Sequence, residues 1–431
     1  MNILKKLALD LEICEVKQLL WGTSTKWENG TLTICKENLL EVLNCKELKN
    51  IDAEITSPGD STRIIPVKDV IEPRAKVGTN NFFPGVLAPV YNNSNDSWGE
   101  GKTRVLRGCS VITTGKIVFY QEGIIDMSGP GADYSIYSKL NNLVLSATPA
   151  DGIDHSTHER AIRLMGLKAA HYLASAVGDL SPDYVEHYES ADPKPDLPKI
   201  GLVYLILAQG LLHDNYIYGQ NPQKFHPMFL SPNEFLDGAV VSGNCVTACD
   251  KNTTYDHLNH PVLLDLYKRD GKELNFAGVI ASPISPVLED KERCVTGIIN
   301  LARHLQLDGM VIIEEGGGNP ESDVMMICAS AEKAGIKTVL MMHENCGEEG
   351  RAQGITIFTK EADAIVSAGN VSEILELPPM EKTIGDPEAI HMLSGSPAKT
   401  ILDNGNFAVS VTTIIDAASN IGVSKLGVEA R

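Results

Sequence analysis

A chain of 431 residues is too long for one ordinary domain, and its 43% hydrophobic and 22% charged content is that of a folded protein, neither disordered nor fibrous. The formal net charge of −19 sets the summed field against phosphates, which excludes nucleic acid and an anionic membrane as expected partners and leaves any anionic ligand to a local cation. Nine cysteines without framework spacing, and no apolar run near the ~18 residues of a membrane span, give the expectation of a soluble cytoplasmic protein with free thiols.

In the opening stretch MNILKKLALDLEICEVKQLL, Asp10, Glu12 and Glu15 interrupt any signal-peptide core, so the start is expected to fold with the rest. The runs TRIIPVKDV, TRVLRGCSVITTGKIVFY and NNLVLSATPA are rich in β-branched residues and separated by Gly, Pro and Asn, which predicts a strand-rich domain over residues 1–190. Arg63, Arg74, Arg104 and Arg107 in these runs are either a carboxylate clamp or ordinary surface charges. Residues 79–101 read as a long irregular loop with a binding or docking role, and GPGA at 129–132 as a turn in preference to a phosphate cradle. One helix is expected in this domain, where Ile162, Met165, Ala169, Leu173 and Ala176 recur at helical spacing. At its start His155, His158 and Glu159 suggest a metal pair, but Ser156 with Glu159 as a capping box is the simpler reading.

The stretch SADPKPDLPK, residues 190–199, has three prolines within six residues and marks the domain boundary. Beyond it, over 199–431, the runs IGLVYLILA, AVVSG, FAGVIAS, GMVIIEE, KTVLMMH and ADAIVSAG alternate mostly with helical patterns. That alternation predicts a mostly parallel sheet covered on both faces, and an α/β domain after a strand-rich one makes the chain α+β overall. Asn319, Pro320 and Glu321 mark a helix start, with EGGG before them as a tight turn in preference to a phosphate cradle. Ligands of open α/β sheets bind at the carboxyl ends of strands. Two loops fall there: LLHDNYIYG, with His213 and Asp214 as candidates for proton transfer, and SGNCVTACD, residues 242–250.

SGNCVTACD places two cysteines four residues apart, one directly after Asn244. With His257 and His260 the spacing is C-x3-C-x7-H-x2-H, whose second interval is too short for a zinc finger. A disulfide across three residues is disfavoured in a reducing compartment. The remaining readings are a reactive thiol and a bond that the chain breaks itself. For the latter, the Cys245 thiol attacks the Asn244 carbonyl in a turn that Gly243 and Asn244 permit, giving a thioester. Loss of the Cβ–S bond leaves a dehydroalanine, whose hydrolysis releases ammonia and leaves a pyruvoyl ketone on the new N-terminus.

Motifs in one order along nearly the whole chain carry a resemblance: PVKDVIEPR (66–74), TTGKIV (113–118), EGIIDMSGPGA (122–132), QGLLHDNYIYG (209–219), SGNCVTACDKN (242–252), GKELNFAGVI (271–280) and IGDPEAI (384–390). The chain resembles the proprotein subunit of component B of the glycine, sarcosine and betaine reductases. The resemblance implies cleavage between Asn244 and Cys245, with Cys245 as precursor of a pyruvoyl cofactor. It also implies a selenocysteine-containing partner subunit, a small selenoprotein carrier and a small amine substrate. The ketone would form an imine with the amine so that the partner's selenolate displaces nitrogen; betaine, with a quaternary nitrogen, cannot form that imine. Thr247, Asp250 and Lys251 are substrate-binding candidates by proximity, Lys251 either meeting a carboxylate or lying in solvent. Tyr216, Tyr218 and Tyr255 are cage candidates for a quaternary nitrogen, with core or rim packing the plainer role. The competing reading is an unprocessed α/β binding or scaffold subunit with Cys245 an ordinary thiol, and after it a zinc protein.

Overall fold

A six-stranded sheet organises the second half of the chain in this computed structural model, which describes residues 7–91, 98–118, 122–178, 180–208, 215–243, 251–393, 400–417 and 419–422. Its strands lie in the order Met228–Leu230, Asn275–Pro283, Lys199–Ile206, Gly309–Glu314, Lys337–Glu344, Ile365–Asn370. All neighbours are parallel except the edge strand Met228–Leu230. The chain therefore leaves Lys199–Ile206 toward one side, then crosses to Gly309–Glu314 on the other. The carboxyl ends of these two strands flank a topological switch point, where open α/β sheets hold their ligands.

The apolar run of the central strand is explained by burial on both faces. Val203, Leu205 and Leu207 pack with Ile298, Val324 and Ile327 of the helices Leu288–His304 and Asn319–Lys333. Leu202, Tyr204 and Ile206 point the other way, toward Leu263 and Leu266 of Pro261–Arg269 and toward Leu9, Leu11 and Val105 of the N-terminal part.

The N-terminal part is strand-rich. One four-stranded sheet runs Tyr184–Glu189, Ala8–Glu15, Gly101–Arg107, Arg74–Lys76; a second runs Leu48–Thr56, Asn141–Pro149, Cys109–Gly115, Asp69–Ile71. The expected helix spans His155–Ser175 and lays Ile162, Met165, Ala169 and Leu173 against Val111, Leu143 and Leu145. Gly166 permits the close approach, since a Cβ there would stand 2.6 Å from Thr113 Cγ2 and 2.8 Å from Ile71 Cδ1. The mixed α+β class read from the sequence holds. No helix of the described residues is long and apolar enough to cross a membrane.

Two helix starts differ from expectation. The cap of His155–Ser175 is Asp154, whose carboxylate accepts the Thr157 N–H at 2.7 Å, and not Ser156. Aspartate caps as well as serine, which frees Glu159 to turn inward. The cap of Asn319–Lys333 is Gly318, one residue earlier than expected, and the Glu321 carboxylate accepts the Gly318 N–H at 3.0 Å. That carboxylate occupies the position an anion would take, so the GGG serves a turn.

Residues 190–198 form no regular element and are tethered where the Asn275 amide donates to the carbonyls of Lys194 and Leu197, both at 2.8 Å. The described part of 79–100 is likewise without helix or ladder, anchored by buried Phe82 and Phe83. Late in the chain, Lys382–Gly385 returns to pair in parallel with Thr62–Val67, which also pairs with Gly123–Asp126.

Candidate functional site

His213, Asn244, Cys245, Thr247 and Asp250 lie outside the described residues, but the residues flanking both loops are described. Segment 209–214 follows the central strand of the parallel sheet, and segment 244–250 follows Val240–Ser242. The strand Asn215–Ile217 pairs antiparallel with Val240–Ser242 and sets Asn215 opposite Ser242. The residue after the first segment and a residue just before the second therefore meet at one end of a short ribbon.

Beneath that meeting point lies Glu315, fully buried at the carboxyl end of Gly309–Glu314. Its Oε2 accepts the Leu207 N–H and the Asn215 Nδ2–H, both at 2.6 Å. Its Oε1 accepts the Asn252 N–H at 3.0 Å and lies 3.3 Å from the Tyr204 hydroxyl. Leu207 and Asn215 flank the segment with His213; Asn252 follows the segment with Cys245. One carboxylate thus anchors three of the four flanks. The sequence reading placed Glu315 in a turn motif; the signal it passed over was a pair of acids closing a buried strand.

The network around Glu315 fixes hydrogen positions. The Asn215 amide nitrogen donates to the Leu207 carbonyl and to Glu315, so its oxygen accepts from His257 Nε2 at 3.1 Å. His257 Nδ1 is then an acceptor for the Tyr204 hydroxyl at 3.1 Å. Burial, with the charges of His260 and Lys251, pushes the His257 imidazole well below its usual range, so it is neutral. With both ring nitrogens engaged, His257 has none left for zinc. His260 Nδ1 caps the next helix by accepting the Leu263 N–H.

A second clamp closes the loop containing Cys245. The Ser242 N–H donates to Thr254 Oγ1 at 2.9 Å, tying the two flanks to each other. Thr254 Oγ1 donates to Asp69 Oδ2 at 2.6 Å and the Thr254 N–H to Asp69 Oδ1 at 2.9 Å. Burial pushes the Asp69 carboxyl up to about 7, against the Thr254 hydrogen bonds and the Lys251 charge. Thr254 stands in place because T-T-Y-D forms a capping box, Thr253 Oγ1 accepting the Asp256 N–H and Asp256 the Thr253 N–H. Lys251 is fully buried, and its charge is felt by Asp69, Glu159 and His257. Of the two positions considered for Lys251, solvent is excluded.

The four arginines are not scattered surface charges. Arg63 forms a two-pronged pair with Asp126, and Arg104 pairs with Glu12. Arg107 pairs with Glu186. Arg74, 0% exposed, pairs with Glu72 and also donates to the Leu236 and Leu258 carbonyls. Each is engaged within the protein, and none is available as a carboxylate clamp. The tyrosines are packing groups: Tyr216 donates to Glu159 under the Arg163 guanidinium, Tyr218 donates to Glu234, and Tyr255 meets Tyr137 edge-on. Glu159 is held by Arg163 at 2.9 Å, while His155 is exposed, so these do not form the metal pair that HSTHE suggested.

An α+β chain with a water-excluded cluster of acids, a lysine and a neutral histidine at the carboxyl ends of a parallel sheet has the setting of an enzyme acting on a small molecule. The chain belongs to the family of glycine/sarcosine/betaine reductase component B subunits, whose model matches residues 7–429, and so to the oxidoreductases. It is 46% identical over 421 residues to the glycine reductase complex component B subunits alpha and beta of Acetoanaerobium sticklandii, covering 95% of this chain and 97% of that one. It is 42% identical to the sarcosine reductase complex component B subunit alpha of Peptoclostridium acidaminophilum over 97% of this chain and 98% of that one. To the betaine reductase complex component B subunit alpha of the same organism it is 36% identical, over 89% and 88%. No solved structure matches the chain.

Proposed function

We propose that this chain is a self-processing precursor that carries a pyruvoyl group made from Cys245 and activates a small amine within a multi-subunit reductase. The observation that supports it most is the double clamp. Ser242 and Asn252 on either side of SGNCVTACD are tied to Thr254, Asp69 and Glu315, and an attack of a thiol on the preceding carbonyl needs a backbone held in one geometry. The relative named for subunits alpha and beta is one chain matched along its length, as expected of a precursor later cut in two.

The residues present fit such a group, since a ketone at Cys245 would lie between flanks held by the buried acids Asp69 and Glu315 and next to the buried cation Lys251. The pyruvoyl carbonyl supplies an electron sink for a condensed amine. In this reading Asn244 provides the carbonyl that is attacked, His213 moves protons, and Lys251, Thr247 and Asp250 hold the substrate. Glycine and sarcosine have a nitrogen able to condense; betaine does not. The selenium chemistry belongs to a selenocysteine-containing partner subunit, and a small selenoprotein takes the product onward.

Intact mass spectrometry under denaturing conditions tests the proposal. Two pieces of 244 and 187 residues are expected (431 − 244 = 187), the second gaining two hydrogens with borohydride. A single chain of full mass, even when produced together with its partner subunit, would favour the unprocessed scaffold reading and sink this one.

A further inference from the structure

Among the described residues, Asp416 is a buried carboxyl without a hydrogen-bond partner, close to the residues that follow the segment with Cys245. Asp416 is 2% exposed, and neither of its carboxylate oxygens has a hydrogen-bond donor. Its backbone φ of +71° lies in the left-handed region, which a residue other than glycine holds only when its surroundings require it. The charge of Asp256 acts directly on it. Asp256 takes every donor in the cluster: the Tyr137 hydroxyl at 2.8 Å, the Thr253 N–H at 2.8 Å and the Thr253 hydroxyl at 2.9 Å. Asn252 and Thr253 come just after Lys251, which follows the segment with Cys245, and Ser419, three residues after Asp416, donates to Asn252 at 2.8 Å.

A buried carboxyl without a donor is rare and costly in a folded protein. Burial, and then the charge of Asp256, push the Asp416 carboxyl well above the usual carboxylate range, since two charges in one dry site oppose each other. The groups facing this pair are Tyr137, from the short helix Ile136–Lys139, and Thr253; among the described residues no cation pairs with Asp416. A protonated amine would bring what is missing: positive charge in place of the proton, and N–H donors for the two orphan oxygens. A quaternary ammonium brings charge without donors and would leave those oxygens unpaired.

We propose that Asp416, beside Asp256, is the subsite that receives the N–H-bearing ammonium group of the substrate. The proposal deepens the reading of the substrate as a small amine and rests on it. It also assigns discrimination against quaternary nitrogen to a second place besides the condensation chemistry.

The test uses the full chain after borohydride treatment, so that any ketone is reduced and cannot capture an amine covalently. Methylammonium and tetramethylammonium are titrated calorimetrically at neutral pH in two buffers of different ionisation enthalpy. Methylammonium is expected to bind with release of up to one proton, and tetramethylammonium about tenfold more weakly or worse. Asp416→Asn is expected to weaken methylammonium by about tenfold or more and to abolish the proton release, thermal melting showing that the fold is kept. Should that variant fail to fold, Asp256→Asn is expected to abolish the proton release in the same way. Unchanged affinity in the folded variants, or no binding by the wild type, overturns the subsite. Intact mass reports processing separately: an uncut chain that binds methylammonium sinks the pyruvoyl reading and keeps the subsite, and a cut chain that does not bind does the reverse.

Discussion

Glu315→Ala is expected to abolish cleavage between Asn244 and Cys245 and to cost the fold on the order of 4 kcal/mol or more. The carboxylate accepts from Leu207, Asn215 and Asn252 and meets the Tyr204 hydroxyl, all in the interior. Each buried donor left unsatisfied costs roughly 1–3 kcal/mol, and the effects overlap because the groups share one site. Glutamine does not substitute well, since each oxygen position accepts at least one N–H and the amide nitrogen would face it. Glu315→Gln is therefore expected to lose about 2 kcal/mol and most of the cleavage. Urea unfolding followed by circular dichroism measures the first quantity and intact mass the second. A Glu315→Ala chain that is as stable as the wild type and fully cut would dispose of the anchor.

The second large expectation concerns the two pieces that cleavage would produce. They are expected to stay together through native size-exclusion chromatography, unfold in one transition and separate only in concentrated denaturant. The upstream strand Lys199–Ile206 lies between Asn275–Pro283 and Gly309–Glu314, both downstream. Downstream Lys382–Gly385 pairs with upstream Thr62–Val67, Arg74 holds the Leu258 carbonyl, and Asp69 holds Thr254. Parting the pieces would open the sheet at its centre and strand buried ions, a cost comparable with unfolding. Pieces that resolve on a native column would show this interlocking to be wrong.

The parallel sheet was legible because burial on both faces writes itself as short runs such as IGLVYLILA and GMVIIEE. The long helix was legible from Ile162, Met165, Ala169 and Leu173, but its cap was misplaced because Asp154 competes equally with Ser156. The fate of the arginines was not legible: Arg63 finds Asp126 sixty-three residues away, and Arg74 reaches carbonyls 162 and 184 residues away. No local pattern encodes such pairs. The same holds for the site. The pattern around Cys245 raised the expectation of a chemistry, whereas Glu315, Asp69 and Asp416 become candidates only once residues distant in the chain are brought together. Asp69 sat within PVKDVIEPR and Glu315 within EEGGG, both noted for other reasons.

The clamp on the loop has a consequence for timing. Glu315 lies 70 residues after Cys245 and Asp69 lies 176 before it (315 − 245 and 245 − 69). The flanks of the segment with Cys245 are thus held by groups that the ribosome supplies long before and well after it. Under the proposed processing, a chain interrupted short of Glu315, or one whose halves have not found each other, would keep an ordinary peptide bond and an ordinary thiol. Maturation as proposed would then serve as the molecule's own inspection of its assembly, reserving a reactive ketone for chains already closed around it.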